Sequence, residues 1–192
     1  GDIMYDVVLH YKLIAKKTVP LSKFDLKKNN YGICTIHRQE NTNSLNNLKK
    51  IFEALEQVAE KIDIVISLHP RTKKILNNYG MKSLLKNFKV LNPLNYIEFQ
   101  RLISDSKVVF TDSGGLQKEA YFHKVPCITL RDETEWTETI DMGWNQVTGA
   151  SKSKILYAYK NIGATTQMPN QNLYGDGNTS KKILEILTHA KN

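Results

Sequence analysis

Three short apolar runs in this chain end on residues able to do chemistry: His37-Arg38, His69-Pro70-Arg71, and Ser113-Gly114-Gly115 followed by Glu119. The third is the most informative. In Val108-Val109-Phe110-Thr111-Asp112-Ser113-Gly114-Gly115 an apolar strand runs into a turn that opens a helix. Backbone N–H groups at a helix N-terminus are unpaired and carry partial positive charge, and tandem glycines let a phosphate approach them with no Cβ in the way. Glu119 falls one helical turn after Gly115, where its carboxylate can accept from a ribose diol. The unit therefore suits a nucleotide. A strand–Gly–Gly–helix turn is also a common packing device, so the motif alone leaves both readings open.

The elements that must position these residues alternate along the chain. Tyr31 to Ile36 reads as a strand ending at His37, followed by a polar loop through Asn41, Thr42 and Asn43. Ser44 is placed to cap a helix whose apolar positions Leu45, Leu48, Phe52, Leu55 and Val58 recur at helical spacing. Ile64 to Leu68 is the next strand, ending at His69-Pro70. A weaker helix around Ile75 and Leu76 leads to a strand at Phe88 to Leu91, and Tyr96 to Ile103 is helical. Val108 to Thr111, Cys127 to Leu130 and Gln146 to Thr148 read as further strands. Helices follow Gly115 and span Lys152 to Lys160 and Thr179 to Leu187. Non-alternating apolar strands separated by helices predict an α/β fold, a Rossmann-like parallel sheet with helices on both faces. Ligands of such sheets gather beyond the carboxyl ends of the strands, which is where His37-Arg38, His69-Pro70-Arg71, Ser113-Gly114-Gly115 and Arg131-Asp132-Glu133 fall.

With 192 residues and 41% apolar content the chain suits one domain with a full core. It has no run long enough for a membrane span and no secretory leader, so the expectation is a cytoplasmic protein with no membrane partner. The formal charge of +8 suits an anionic partner. The lysines, however, are scattered in small groups such as Lys16-Lys17, Lys27-Lys28, Lys49-Lys50 and Lys73-Lys74, read as solvated faces of helices, and no nucleic-acid motif accompanies them. No nucleic-acid partner is expected. Cys34 and Cys127 lie inside strand-like runs and read as buried hydrophobes, and His10, His123 and His189 have no ligand spacing, so neither disulfide nor metal is expected.

Five motifs in order resemble those of the non-hydrolysing UDP-N-acetylglucosamine 2-epimerases, which are built like two-domain GT-B glycosyltransferases. They are His37-Arg38-Gln39-Glu40-Asn41, His69-Pro70, Thr111 to Ala120 with its Asp-Ser-Gly-Gly-x-Gln-x-Glu-Ala pattern, Arg131-Asp132-Glu133-Thr134-Glu135, and Asn172-Leu173-Tyr174-Gly175-Asp176-Gly177. Family members run to about twice this length. The resemblance implies that residues 18–192 are the UDP-binding C-terminal domain with its C-terminal helix. Residues 1–17, with a stripe of Met4, Val7, Val8, Tyr11 and Ile14, would be the connecting helix from a missing N-terminal domain. A homodimer is expected at full length, and no cofactor.

The resemblance assigns roles residue by residue. Ser113, Gly114 and Gly115 hold the diphosphate of UDP, Glu119 the ribose, and Phe99 packs near the uracil. His37 is the catalytic histidine that assists departure of UDP, since breaking the anomeric C–O bond builds charge on the diphosphate that preorganised donors stabilise. Arg38 belongs with the UDP-sugar ligands and His69 with an allosteric pocket. Arg131 looks like loop scaffolding paired with an acid. The implied reaction is anti elimination of UDP followed by re-addition with inversion at C2, its acid and base lying in the N-terminal domain. Glu133, Glu135 and Glu138 fit a helix start rather than a converging acid-base pair. Trp136-Thr137 replaces the Arg-Pro that many members carry after Thr-Glu, which leaves the partner as UDP-GlcNAc or a modified UDP-HexNAc, a UDP-2,3-diacetamido uronic acid and a 6-deoxy amino sugar fitting equally well. Two other readings remain at this stage: a GT-B glycosyltransferase donor domain, and a non-catalytic nucleotide-binding module.

Overall fold

The computed structural model describes residues 1–68, 70–162 and 173–189. Six strands form one parallel sheet: β1 Tyr31–Thr35, β2 Asp63–Ser67, β3 Lys89–Leu91, β4 Val108–Thr111, β5 Cys127–Thr129 and β6 Asn145–Val147. Their spatial order is β3-β2-β1-β4-β5-β6. Chain direction across the sheet reverses between β1 and β4, which is where a doubly wound sheet opens a crevice for ligands.

Successive side chains of each strand point to opposite faces, and here both faces are covered. Cys34, Ile64, Ile66, Val108 and Phe110 pack under α3 (Leu45–Ala59) and α8 (Lys152–Lys160). Tyr31, Ile33, Val65 and Val109 pack against α5 (Tyr96–Asp105) and α6 (Gly114–Phe122). This is why the strands read as continuous apolar runs. Gly32 relieves crowding, since a Cβ there would come within 3.0 Å of Val108 Cγ1 and 3.2 Å of the Phe110 ring and those side chains would have to give by a few tenths of an ångström. The expected caps are present. Ser44 accepts from Asn47 N at 3.2 Å, and Asn95 and Glu98 form a reciprocal capping box that starts α5.

The first helix, α1 (Ile3–Thr18), lies across α5 and α6. Its buried face is centred on Val8 and Ala15 with Met4 and Tyr11 alongside, while Val7 is 39% exposed and falls off the expected stripe. Asp2 caps α1 by accepting from Met4 N at 2.7 Å and also pairs with Lys118 of α6 at 2.6 Å. The last helix, α9 (Thr179–His189), is tied to α1 through Asp6, which accepts from Ser180 N and Oγ.

Two expectations need correcting. The segment after His37 is not a polar loop but a helical turn, α2 (Gln39–Thr42), with Asn41 and Thr42 buried. Polar residues are buried there because the Asn41 amide satisfies two buried acceptors, Asp112 Oδ2 at 3.1 Å and Leu130 O at 2.8 Å. Lys27 and Lys28 lie in the turn before β1 rather than on a helix, although they are solvated as expected. The acidic segment does form a short helix, α7 (Thr137–Asp141), and α4 spans Pro70–Asn78. Among the described residues no helix is long and apolar enough to cross a membrane.

Candidate functional site

The carboxyl ends of β1 and β4 meet at a bond between Thr35 Oγ1 and Thr111 Oγ1, 2.6 Å. Beyond it lies a cleft of about 430 Å³ whose lining includes His37, Phe99, Ser113, Gly115 and Glu119, with Met4 of α1 closing one side. Five of the residues singled out by sequence therefore face one space. Gly114 and Arg38 do not line it, and His69 lies outside the described residues.

The turn that the sequence offers as a phosphate seat is the first turn of α6. Ser113 N is taken by Thr111 Oγ1 at 2.9 Å, and the first bond accepted by Ser113 O comes from Gln117 N at 3.2 Å. The N–H groups of Gly114, Gly115 and Leu116 thus precede the intrahelical ladder, and the Ser113 side chain makes no capping bond to them. Neither glycine has a positive φ. A Cβ on Gly114 would meet Glu135 and Trp136 at 3.5 Å, and one on Gly115 would meet only Met4 at 3.9 Å, all ordinary contacts. Nothing inside the fold demands glycine at either position, so what the pair provides is close access to backbone N–H groups.

His37 is held by the aspartate of the Asp-Ser-Gly-Gly pattern, to which the sequence alone gives no role. Asp112, fully buried, accepts from His37 N at 3.1 Å, from Arg38 N at 3.0 Å and from Asn41 Nδ2 at 3.1 Å. Its Oδ1 also lies 3.3 Å from His37 Nδ1, so the ring is drawn back toward the carboxylate while the far side of the imidazole faces the cleft. The available signal was a carboxylate following four apolar-strand residues directly, a position where burial requires several donors.

Glu119 sits opposite. Desolvation pushes its carboxyl up to about 7, against the opposing influence of the Gln100 and Tyr96 side chains, which favour the charged form. The same contact, after desolvation, pushes the Tyr96 hydroxyl up to about 12. Tyr96 and Gln100 carry no role in the sequence reading, where Tyr96 to Ile103 is simply a helix, although their i, i+4 spacing places both on the face shared with Phe99 and Ile103.

The Arg131 loop braces the seat from outside the cleft. Arg131 forks onto Glu135 at 2.9 and 3.0 Å, the pairing expected for a scaffold residue. Glu135 is held below the usual carboxylate range by its own backbone N–H and by Arg131. Arg38 points to the same carboxylate at 3.9 Å, away from the cleft. Trp136 Nε1 donates to Gly114 O at 2.8 Å, and Lys118 Nζ stands 4.2 Å over the Trp136 ring. Glu138 accepts from the Tyr174 hydroxyl at 2.6 Å, so Glu135 and Glu138 serve separate partners and do not converge. Among the described residues no cluster of three His, Cys, Asp or Glu side chains has metal-binding geometry. Cys34 and Cys127 are buried free thiols.

Comparison with known proteins gives this geometry its context. The sequence model of the UDP-N-acetylglucosamine 2-epimerases matches residues 1–188. A UDP-N-acetylglucosamine 2-epimerase homolog of Methanococcus maripaludis is 43% identical over 97% of this chain and 53% of its own length. The UDP-2,3-diacetamido-2,3-dideoxy-D-glucuronate 2-epimerase of Pseudomonas aeruginosa is 37% identical over 97% of this chain and 51% of its own. The crystal structure of Methanocaldococcus jannaschii UDP-GlcNAc 2-epimerase in complex with UDP-GlcNAc and UDP superposes with a TM-score of 0.87 and 36% identity, covering 98% of this chain and 54% of that one. The chain thus spans about half the length of the relatives it matches. With the parallel sheet, the seat at the head of α6 and a family model matched over nearly its whole length, this chain belongs to the UDP-N-acetylglucosamine 2-epimerase family.

Proposed function

We propose that this chain is the UDP-binding half of a cytoplasmic nucleotide-sugar 2-epimerase, residues 18–192 forming the nucleotide domain and residues 1–17 the helix that joins it to an N-terminal domain. The observation that carries the reading is the convergence of His37, the Ser113–Gly115 turn and Glu119 on one cleft at the β1/β4 crossover. In it, the α6 N–H groups receive the diphosphate, Glu119 accepts from the ribose hydroxyls and Phe99 packs near the uracil. His37 then donates toward the diphosphate as the anomeric C–O bond breaks and UDP departs with its electron pair. The acid and base that act at C2 belong to the other domain, and two full-length subunits form the working dimer.

Arg38 belongs with the UDP-sugar ligands, although its side chain here reaches Glu135 outside the cleft, and His69 belongs to a neighbouring regulatory UDP-sugar site. The sugar is a modified UDP-HexNAc. Supporting this are Trp136 after the Thr134-Glu135 pair and the 37% identity to a protein named for a UDP-2,3-diacetamido uronic acid.

A single experiment tests the whole. Titration of the 192-residue chain with UDP is expected to show binding, and incubation with UDP-GlcNAc or a UDP-2,3-diacetamido uronate to show no change at C2. The same chain extended upstream by the domain that its relatives carry is expected to epimerise. Turnover by the isolated chain, or failure of the extended chain to interconvert any UDP-HexNAc pair, overturns the reading.

A further inference from the structure

Behind Glu119 the domain buries a polar pair that the cleft itself does not use. His123, the C-cap of α6, and Gln100 of α5 are 5% and 0% exposed, and His123 Nε2 lies 2.7 Å from Gln100 Oε1. Desolvation, reinforced by Lys12, holds the imidazole down at about 3, so near pH 7 the ring is neutral and carries one proton. An amide oxygen only accepts, which places that proton on Nε2 and leaves Nδ1 buried without a hydrogen-bond partner.

The same bond orients the amide. With Oε1 given to His123, Gln100 Nε2 turns the other way, where it favours the charged form of Glu119. That nitrogen forms no well-shaped hydrogen bond of its own. Two adjacent buried polar atoms without partners are each destabilising, and two leucines would pack the same space without that cost. Core packing therefore does not account for the pair, whereas an oriented donor behind a ligand-binding carboxylate does.

We propose that His123 is a positioning residue for the nucleoside site: it fixes the Gln100 amide so that Glu119 holds both carboxylate oxygens toward the 2′- and 3′-hydroxyls of a ribose. The proposal rests on the placement of the ribose at Glu119 made above. The other polar and charged groups around the relay are few. Tyr96 contacts Glu119 and packs edge-on against Tyr11 of α1 at 5.6 Å. Lys12 of α1 and Asp105 of α5 act on His123, and Lys12 also acts on Lys124. His37 stands across the cleft.

The test is calorimetric titration with UDP and with 2′,3′-dideoxyuridine diphosphate between pH 6 and 9, on the chain and four variants. In the parent chain UDP affinity should rise as Glu119 loses its proton. His123→Leu and Gln100→Leu should each move that midpoint up by about one pH unit, weakening UDP about fivefold at pH 7 with recovery at pH 9. His123→Gln, which restores an N–H toward Gln100, should keep the parent profile, and the dideoxy analogue should not distinguish His123→Leu from the parent. Glu119→Gln separates the two levels of the argument. If it weakens UDP and flattens the profile while both leucine variants keep the parent midpoint, the relay is wrong and the ribose site stands. If it changes neither affinity nor profile, the ribose placement fails and the relay with it. ¹⁵N chemical shifts of His123 give a readout independent of any variant's folding: the Nε2–H tautomer is expected in the UDP-bound chain, and the Nδ1–H tautomer overturns the proposal.

Discussion

Asp112 receives the backbone N–H of His37 at 3.1 Å from each of its carboxylate oxygens, so the last residue before the glycine turn fixes the loop that carries the histidine. One buried anion thereby couples the ends of β1 and β4. Asp112→Asn keeps the size but turns an NH₂ group toward backbone donors. The expected loss is about 2–3 kcal/mol of unfolding free energy, from buried donors left without an acceptor. Urea unfolding of the variant measures it. A change within about 0.5 kcal/mol would mean that the loop does not depend on this carboxylate.

Glu119 faces the same cleft from one turn into α6, and the hydrogen bonds it is proposed to accept from a ribose are charge-assisted. Glu119→Ala should therefore weaken UDP by roughly 1.5–3 kcal/mol. Calorimetry at pH 8, above the value near which the carboxyl ionises, gives the fairest comparison. Equal affinity in parent and variant would leave Glu119 as a second-turn acid with no part in nucleotide binding.

The sheet was legible because its strands are short apolar runs, too brief for helices and bounded by turn residues, and β4 matched the expected bounds. α3 matched because Ser44 caps an apolar stripe at helical spacing. What sequence could not show was which side of each loop a side chain takes. Arg38 and His37 are neighbours in the chain, yet one turns to Glu135 and the other to the cleft, a choice made by the three donors Asp112 must satisfy. Asn41 read as a loop residue because its burial depends on partners 71 and 89 positions away. The Trp136 side chain, read as a mark of substrate type, spends its N–H on Gly114 O in the first turn of α6, a partner that the sequence does not reveal.

In the proposed mechanism His37 acts only when charge develops on the departing diphosphate, which would locate its effect in the transition state. In the chain joined to its N-terminal domain, His37→Ala or His37→Asn should lower kcat by about 10²–10³-fold with a much smaller rise in KM. The imidazole is exposed at its far edge, so the melting temperature should barely move. A kcat within a few-fold of the parent, with or without a fall in melting temperature, would remove His37 from the chemistry.

The paired shifts of Glu119 and His123 also set how stability responds to pH. Glu119 is raised by burial from 4.5 to about 7, so between those values the folded chain holds a proton that the unfolded chain has lost. Its contribution is full below 4.5 and declines as pH rises to about 7, by about 1.4 kcal/mol per pH unit at most. His123 is lowered by burial from 6.5 to about 3, so there the unfolded chain holds the extra proton. Its contribution is full above 6.5 and declines as pH falls toward 3, with the same limiting slope. From pH 4.5 to 6.5 the two slopes oppose each other and largely cancel. Removing either group should uncover the other. Relative to the parent, Glu119→Gln should gain stability progressively as pH rises from 4.5 to 7, and His123→Leu should gain it progressively as pH falls from 6.5 toward 3. Urea unfolding midpoints of the three proteins at half-unit pH steps measure both differences, and any other group that titrates alike in all three drops out of the comparison. Parallel curves for parent and Glu119→Gln across pH 4.5–7 would show that Glu119 ionises in the folded chain as it does in the unfolded one, its polar neighbours Gln100 and Tyr96 then fully offsetting the cost of burying its charge.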